Sequence, residues 1–356
     1  MALSRLLLKN IRCIQSAEIS PCHHFNLFYG DNGAGKTSLL EAINILSTGR
    51  SFRTHHFREV IRHEQASLMV AGMQETDNKI QQLGIERTKD SVKVRINKQP
   101  VKQIADLSFA LPIIEFHPGS TELITGNPGQ RRAYMDWGVF QTNADFYSDW
   151  RQYQHALKQR NALLKAKRPK QEIKLWNHPL VQSAKKVNQA RYHYLTDLKN
   201  HLAGLFNYIA TDYNLGFQYR SGWKHEEDFE ESLEKNLYRD QTLGYTHSGP
   251  HRADLLIAFN GRPASTCASR GQLKFITILL KLLQAAHYNK ATDKKAILLL
   301  DDLPSEFDQE NMQQIINLII NLKTQVFITT VDAKTKEFKK EQLKMFHVKQ
   351  GVVSEK

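Results

Sequence analysis

The stretch "FNLFYGDNGAGKTSLLEAINILS" does most to limit the folds open to this chain. An apolar strand, Phe25–Tyr29, runs into a glycine-rich loop and then a helix with Leu39, Leu40, Ile43 and Leu46 on one face. The loop, Gly30-Asp31-Asn32-Gly33-Ala34-Gly35-Lys36-Thr37, satisfies G-x-x-x-x-G-K-[ST] in full. Small residues let successive backbone N–H groups wrap phosphates, and the helix N-terminus adds its dipole. In that pattern Lys36 reaches the β- and γ-phosphates and the Thr37 hydroxyl ligates Mg²⁺. With a strand before it and a helix after it, the loop predicts a bound nucleoside triphosphate.

The complementary acidic strand lies far downstream, in "AILLLDDLPSEFD". Asp301, at the strand end, is expected in the Mg²⁺ shell, and Asp302 as the base that orients or deprotonates the attacking water. A plain strand-to-turn transition is the blander reading, and it weakens once the phosphate loop is granted. "QVFITT", residues 325–330, is expected beside these in a mostly parallel sheet whose ligands sit at the carboxyl ends of the strands.

Between the two lies "CASRGQLKFITILLKLL", where Ser269-Arg270-Gly271-Gln272 runs straight into an apolar helix. Taken alone, Ser269 is best read as an N-cap. After a phosphate loop and before "LLLDD", the tetrapeptide fits the serine-glycine signature of ABC and SMC ATPases. Ser269, Gly271 and Gln272 then become candidates for contact with ATP γ-phosphate, backed by the helix dipole. In such proteins the signature faces the nucleotide of the opposite subunit, so a second copy of the chain is implied.

Charge is the first hint of a partner. Forty-nine Lys and Arg against thirty-six Asp and Glu leave +13, and residues 151–200 hold twelve basic residues but only Glu172 and Asp197 as acids. This is either a solvated helical face or a surface that tracks DNA phosphates. Tyr147, Trp150, Tyr153, Trp176, Tyr192 and Tyr194 are interleaved there, as base-stacking platforms or as core. Three cysteines without CxxC spacing read as free thiols in a reducing cytoplasm. The longest apolar runs, such as residues 296–300, are too short to span a bilayer, and "RLLLK" near the N-terminus reads as strand rather than signal peptide.

The chain resembles the bacterial RecF family of recombination-repair ATPases from end to end. The resemblance rests on "LLLKNIR", "GDNGAGKTSLLEAI", "GRSFRT" (49–54), "NPGQRRAYMDW" (127–137), "HSGPHRADL" (247–255), "SRGQLK" and "LLLDDLPSEFD". The P-x-x-R-R and G-P-H-R-x-D-L segments are its most particular parts. It implies an α/β fold, an ABC/SMC-type P-loop ATPase head with a mainly helical second lobe and no long coiled coil. It further implies an ATP-dependent homodimer that binds double-stranded and gapped DNA, works with RecR and RecO to load RecA, and hydrolyses ATP slowly.

Domain organisation follows from the motifs. Residues 1–116 are expected as a head lobe, 117–289 as a mainly helical lobe ending in the signature helix, and 290–356 as the return to the head, because loop and acidic strand must meet at one Mg²⁺. "VKVRINK" reads as a half-exposed strand, and the Arg168-Pro169 break and "HEEDFEES" as loops or helix starts. Asn127-Pro128 predicts a capped helix start with Met135, Trp137 and Phe140 inward, and Arg131 and Arg132 either meet DNA or the dimer partner or, the reading slightly favoured, pair with carboxylates such as Asp136. His251 reads as a hydrogen-bonded structural histidine ahead of a catalytic one, and Asn260-Gly261 as a hairpin turn. His23-His24 and His55-His56 lack the further ligands a metal site requires. His117-Pro118-Gly119 offers no Q-loop glutamine, Thr329 and Thr330 occupy the region of the switch histidine, and Phe307 stands where the family more often has Leu. The competing function is the nucleotide-binding subunit of a transporter, which shares the ATPase motifs but leaves the basic segment unexplained.

Overall fold

The computed structural model describes residues 1–76, 79–206, 214–224, 228–332 and 342–356. Two compact units emerge: Met1–Ser120 with Lys274–Lys356, and Thr121–Leu273. The division falls within the helix Arg270–Thr292, after its first turn, rather than at 289 as expected. The reason is packing. From Phe275 onward this helix is buried, Lys281 pairs with Glu115 at 3.2 Å, and Asn289 accepts a hydrogen bond from the Ala296 amide at 2.9 Å.

The first unit is built on two sheets. One runs Val352–Glu355, Leu343–Lys349, Phe25–Tyr29, Val326–Thr330, Ile297–Leu300, Ile113–Phe116, parallel throughout except for its terminal hairpin. Ile297–Leu300 and Val326–Thr330 are buried at every position, as parallel strands covered on both faces must be, which is why they read as unbroken apolar runs. The other sheet is antiparallel, with Ala2–Ile11 between Ile14–Ile19 and Ser67–Thr76, continuing through Lys79–Thr88, Val92–Ile96 and Gln99–Val101. Val94 is buried and Val92 exposed in the half-exposed strand foreseen there. The buried Gln325 side chain ties the sheets together, accepting from Leu3 N at 2.7 Å and donating to Leu3 O at 2.8 Å.

The helix Lys36–Thr48 departs from the one-faced pattern read in its sequence. Every residue from Ser38 to Ser47 is buried, because the helix shares one apolar core with inward residues of both sheets. Its polar positions are satisfied internally: Ser47 donates to Leu111 O at 2.6 Å, and Asn44 to Arg50 O at 2.8 Å.

The second unit is mainly helical, with Pro128–Thr142, Phe146–Lys165 and Asn177–Phe206 beside a small antiparallel sheet of Leu215–Arg220, Asp254–Phe259 and Arg262–Pro263. Asn127 caps the first helix by accepting from Gly129 N at 2.8 Å, with Pro128 at the first turn. Met135 is fully buried, whereas Trp137 and Phe140 are only half-buried and Tyr134 and Val139 fill the inner face. Asn260 and Gly261 both take positive φ (49° and 76°), the geometry of a type I′ hairpin turn. Residues 225–227 of the "HEEDFEES" stretch lie outside the described residues; Asp228 caps Phe229–Lys235, accepting from Glu230 N at 2.9 Å. A helix also starts after the Arg168-Pro169 break, at Lys170–Lys174. Among the described residues no helix is long and apolar enough to cross a membrane.

Candidate nucleotide site and the segments that support it

The phosphate loop, Asp301 and Asp302, and His117 all follow carboxyl ends of neighbouring parallel strands, where open α/β sheets bind ligands. The loop's backbone takes positive φ at Gly30, Gly33 and Gly35, and close packing also excludes a side chain at the first and the last of these. A Cβ on Gly30 (φ 148°) would stand 2.1 Å from Val348 O, and one on Gly35 (φ 111°) 2.9 Å from Cys13 Sγ. The C-terminal hairpin thus buttresses the loop, and Gly351 N donates to Ala34 O at 2.8 Å. No motif in "HVKQGVV" signals that role.

Lys36 folds back over the loop and donates to Gly30 O at 2.7 Å and Asp31 O at 2.9 Å. Burial pulls its pKa below the ordinary lysine value, while Asp302, Asp301 and Asp31 act in the other direction. Thr37 Oγ1 donates to Asp301 Oδ1 at 2.8 Å, closing a sequence separation of 264 residues. Asp301 is buried, and Thr329 Oγ1 donates to the same carboxylate oxygen at 2.7 Å while accepting from Asp302 N at 2.7 Å. Asp302 sits at φ 53°, a left-handed conformation that Asp and Asn tolerate better than most residues. Thr329 therefore links both acids, a role its place in "VFITT" did not reveal.

Glu41 is the second feature missed in the sequence. Fully buried in the phosphate-loop helix, it meets the Arg12 guanidinium through two bonds of 2.9 Å and also takes the Ser51 hydroxyl. The hydrogen bond to Glu41 raises the Arg12 pKa against the effect of burial. "LLLKNIR" and "GRSFRT" thus converge on one buried carboxylate. His117 stacks on Phe52, ring centroids 5.1 Å apart, and Phe307 lies near Phe116 and Phe275 at 5.9 and 6.4 Å.

Ser269 and Gln272 form a reciprocal capping box: Gln272 Oε1 accepts from Ser269 N at 2.8 Å, and Ser269 Oγ from Gln272 N at 3.3 Å. The cap reading of Ser269 is therefore correct in geometry. Gly271 beside it is exposed, and a Cβ there would meet nothing within 4 Å. Its glycine has no steric cause among the described residues.

In the second unit, "NPGQRRAYMDW" and "HSGPHRADL" dock on each other. Arg131 grips Asp254 with bonds of 2.7 and 3.1 Å, and Arg132 donates to Ala253 O at 2.8 Å. The expected partner Asp136 instead takes Arg191, at 2.7 and 2.9 Å, because the helix presents it to Asn177–Phe206 on another face. Arg191 also donates to Pro250 O at 2.7 Å. Arg160, wholly buried, holds Asp240 at 2.8 Å, Thr246 at 2.6 Å and Asn177 at 3.0 Å. Two of the twelve basic residues in 151–200 are thus interior. Arg168, Lys174, Lys185 and Lys186 pair with carboxylates, and the other six (Arg151, Lys158, Lys165, Lys167, Lys170, Lys199) are exposed without a carboxylate partner among the described residues. Of the interleaved aromatics, Tyr153 and Tyr194 are core and Tyr192 is 58% exposed.

His251 Nε2 lies 2.9 Å from Thr246 O and so carries the proton, leaving Nδ1 to accept from the Tyr153 hydroxyl at 2.5 Å. Burial pushes its pKa from 6.5 down to about 4. The folded state therefore holds His251 neutral; its stabilising contribution is complete above the unfolded value and is lost as pH falls from 6.5 towards about 4. The loss amounts to about 3 kcal/mol at most. Denaturation midpoints at about pH 7.5 and about pH 5 should differ more for the wild type than for His251→Gln; equal differences would contradict this account.

A phosphate loop and an acidic strand end on this two-sheet framework define the ATPase head of the ABC/SMC class. Residues 2–354 match the RecF/RecN/SMC N-terminal domain. The chain belongs to the RecF family. It is 37% identical to the DNA replication and repair protein RecF of Thioalkalivibrio sulfidiphilus, covering 99% of both chains, and 36% identical to that of Vibrio cholerae, covering 100% of both. Among solved structures, the recombination mediator protein RecF with ATP in the RecFOR pathway superposes with a TM-score of 0.89 at 26% identity, over 99% of this chain and 97% of that one. These matches do not favour the transporter alternative.

Proposed function

We propose that the chain is an ATP-controlled DNA-binding switch of recombinational repair, acting in the cytoplasm as a homodimer with RecR and RecO to promote RecA loading at gapped double-stranded DNA. The observation that carries the nucleotide reading is the 2.8 Å contact between Thr37 and Asp301, which brings together two hard oxygen donors of the kind Mg²⁺ takes. These residues fit the ion, and bound Mg²⁺ supplies charge that offsets the β- and γ-phosphates. The glycine loop's N–H groups and Lys36 bind the phosphates, Asp302 orients the attacking water, and Thr329 keeps both acids in place. With the Ser269 N–H held by Gln272, the Ser269 hydroxyl, the Gly271 N–H and the open space at Gly271 are what this helix start offers the nucleotide of a second copy. Two nucleotides shared across a dimer make ATP favour one state and ADP the other. Asp302 is one methylene shorter than the Glu usual in transporters, which moves its carboxylate from the water and supports slow turnover.

Binding of a labelled gapped duplex, titrated against salt with ATP and with ADP, tests this. We expect affinity only with ATP, falling on a log–log plot by about 0.9 per phosphate contact. Affinity independent of salt and nucleotide would contradict it.

A further inference from the structure

The outward face of the antiparallel sheet carries no part of the nucleotide site. Its register places Glu18, Leu7, Ala71, Gly84 and Arg95 in one cross-strand row. One flanking row runs Lys9, Met69, Glu86, Lys93, and the other Arg5, Met73, Gln82. Alternation sends Leu6, Leu8, Val70, Leu83 and Ile85 into the core, so these rows face away from it. With Ala71 and Gly84 at its centre the middle row sinks, and a trough of about 330 Å³ opens over Leu7, Met69 and Met73. Its border is basic. Arg5 pairs with Glu18 at 2.5 Å and Lys93 lies 3.9 Å from Glu86, but Arg95 and Lys98 have no carboxylate partner among the described residues.

We propose that this face docks an acidic segment of a partner protein that seats apolar side chains in the trough. The two unpaired cations call for carboxylates. The methionine and leucine floor adapts to aliphatic and aromatic anchors. No aromatic side chain lines the trough, so unstacked nucleobases find no platform there. Apolar floor inside a charged border is the arrangement of a protein contact.

Random peptides displayed on phage and selected on the full chain test the proposal. The enriched sequences are expected to combine Asp or Glu with Leu, Met, Ile or Phe. A synthetic peptide of that sequence should lose about tenfold or more in affinity for Ala71→Glu, which fills the trough, and for Arg95→Glu, which reverses its border. Both variants should bind ATP as the wild type does, which establishes that they fold. Enrichment no greater than on Ala71→Glu, or enrichment of neutral or basic sequences, would overturn the proposal. So would an Arg95→Glu variant that loses duplex DNA binding while keeping the peptide, since the face would then serve nucleic acid.

Discussion

Asp302→Asn should bind ATP within about twofold of the wild type and release phosphate about 100-fold more slowly. The substitution is conservative in backbone terms: φ is 53° here, and Asn tolerates the left-handed region as Asp does. The amide bond to Thr329 Oγ1 at 2.7 Å does not involve the side chain and should persist. What disappears is the carboxylate to which the proposed function gives the proton or the alignment of the water. Thr329→Val separates positioning from chemistry. It removes the donor to Asp301 and leaves the Asp302 N–H without its partner, a cost of about 1–3 kcal/mol if the group stays buried. Turnover should fall about tenfold and the Mg²⁺ concentration needed for half-maximal rate should rise, a change that a purely structural threonine would not produce. Phosphate release measured alongside nucleotide affinity decides both points. Wild-type turnover in Asp302→Asn would remove Asp302 from the reaction.

The second large effect concerns stability. Arg160→Ala should destabilise the fold by about 3–5 kcal/mol in chemical denaturation, because it leaves the Asp240 carboxylate buried without its cation. Both side chains are essentially excluded from water, and their 2.8 Å bond is joined by contacts to Asn177 and Thr246. Asp240 retains His247 Nδ1 at 2.7 Å, which favours the lower end of that range. Arg160→Met combined with Asp240→Leu should recover most of the loss, since a well-packed apolar pair needs no ionic compensation. A cost for Arg160→Ala below about 1 kcal/mol would mean that the pair behaves as an exposed one.

The phosphate loop was readable because its chemistry is local: eight consecutive residues and the two elements flanking them. That Asp301 meets the loop was readable once the loop was granted. Thr329 was placed in the region of the switch histidine, but its bond to Asp301 was not readable, since that partner lies 28 positions away. Glu41 looked like the solvent side of an amphipathic helix; only the second sheet and Arg12 bury it. The basic run misled in the same way at Arg160 and Arg191, whose partners Asp240 and Asp136 are 80 and 55 residues distant. In "RLLLKN" three consecutive leucines hide the alternation that sends Leu6 and Leu8 inward and Leu7 out. Long-range carboxylate partners and the second face of a sheet are set by tertiary packing, which no window of sequence displays.

The central claim is that the helix start at Ser269 reads a nucleotide held by another copy. The most direct measurement is the solution mass by light scattering with ATP and then with ADP, for the wild type, Ser269→Arg and Gly271→Arg. Gly271→Arg keeps the capping box and fills only open space, so it spares the chain's own fold. The account predicts a doubled mass with ATP and not with ADP, and monomeric variants that still bind ATP. A mass that never changes at high concentration with DNA present, or variants that dimerise as the wild type does, would leave Ser269 as a helix cap and contradict dimerisation through shared nucleotide.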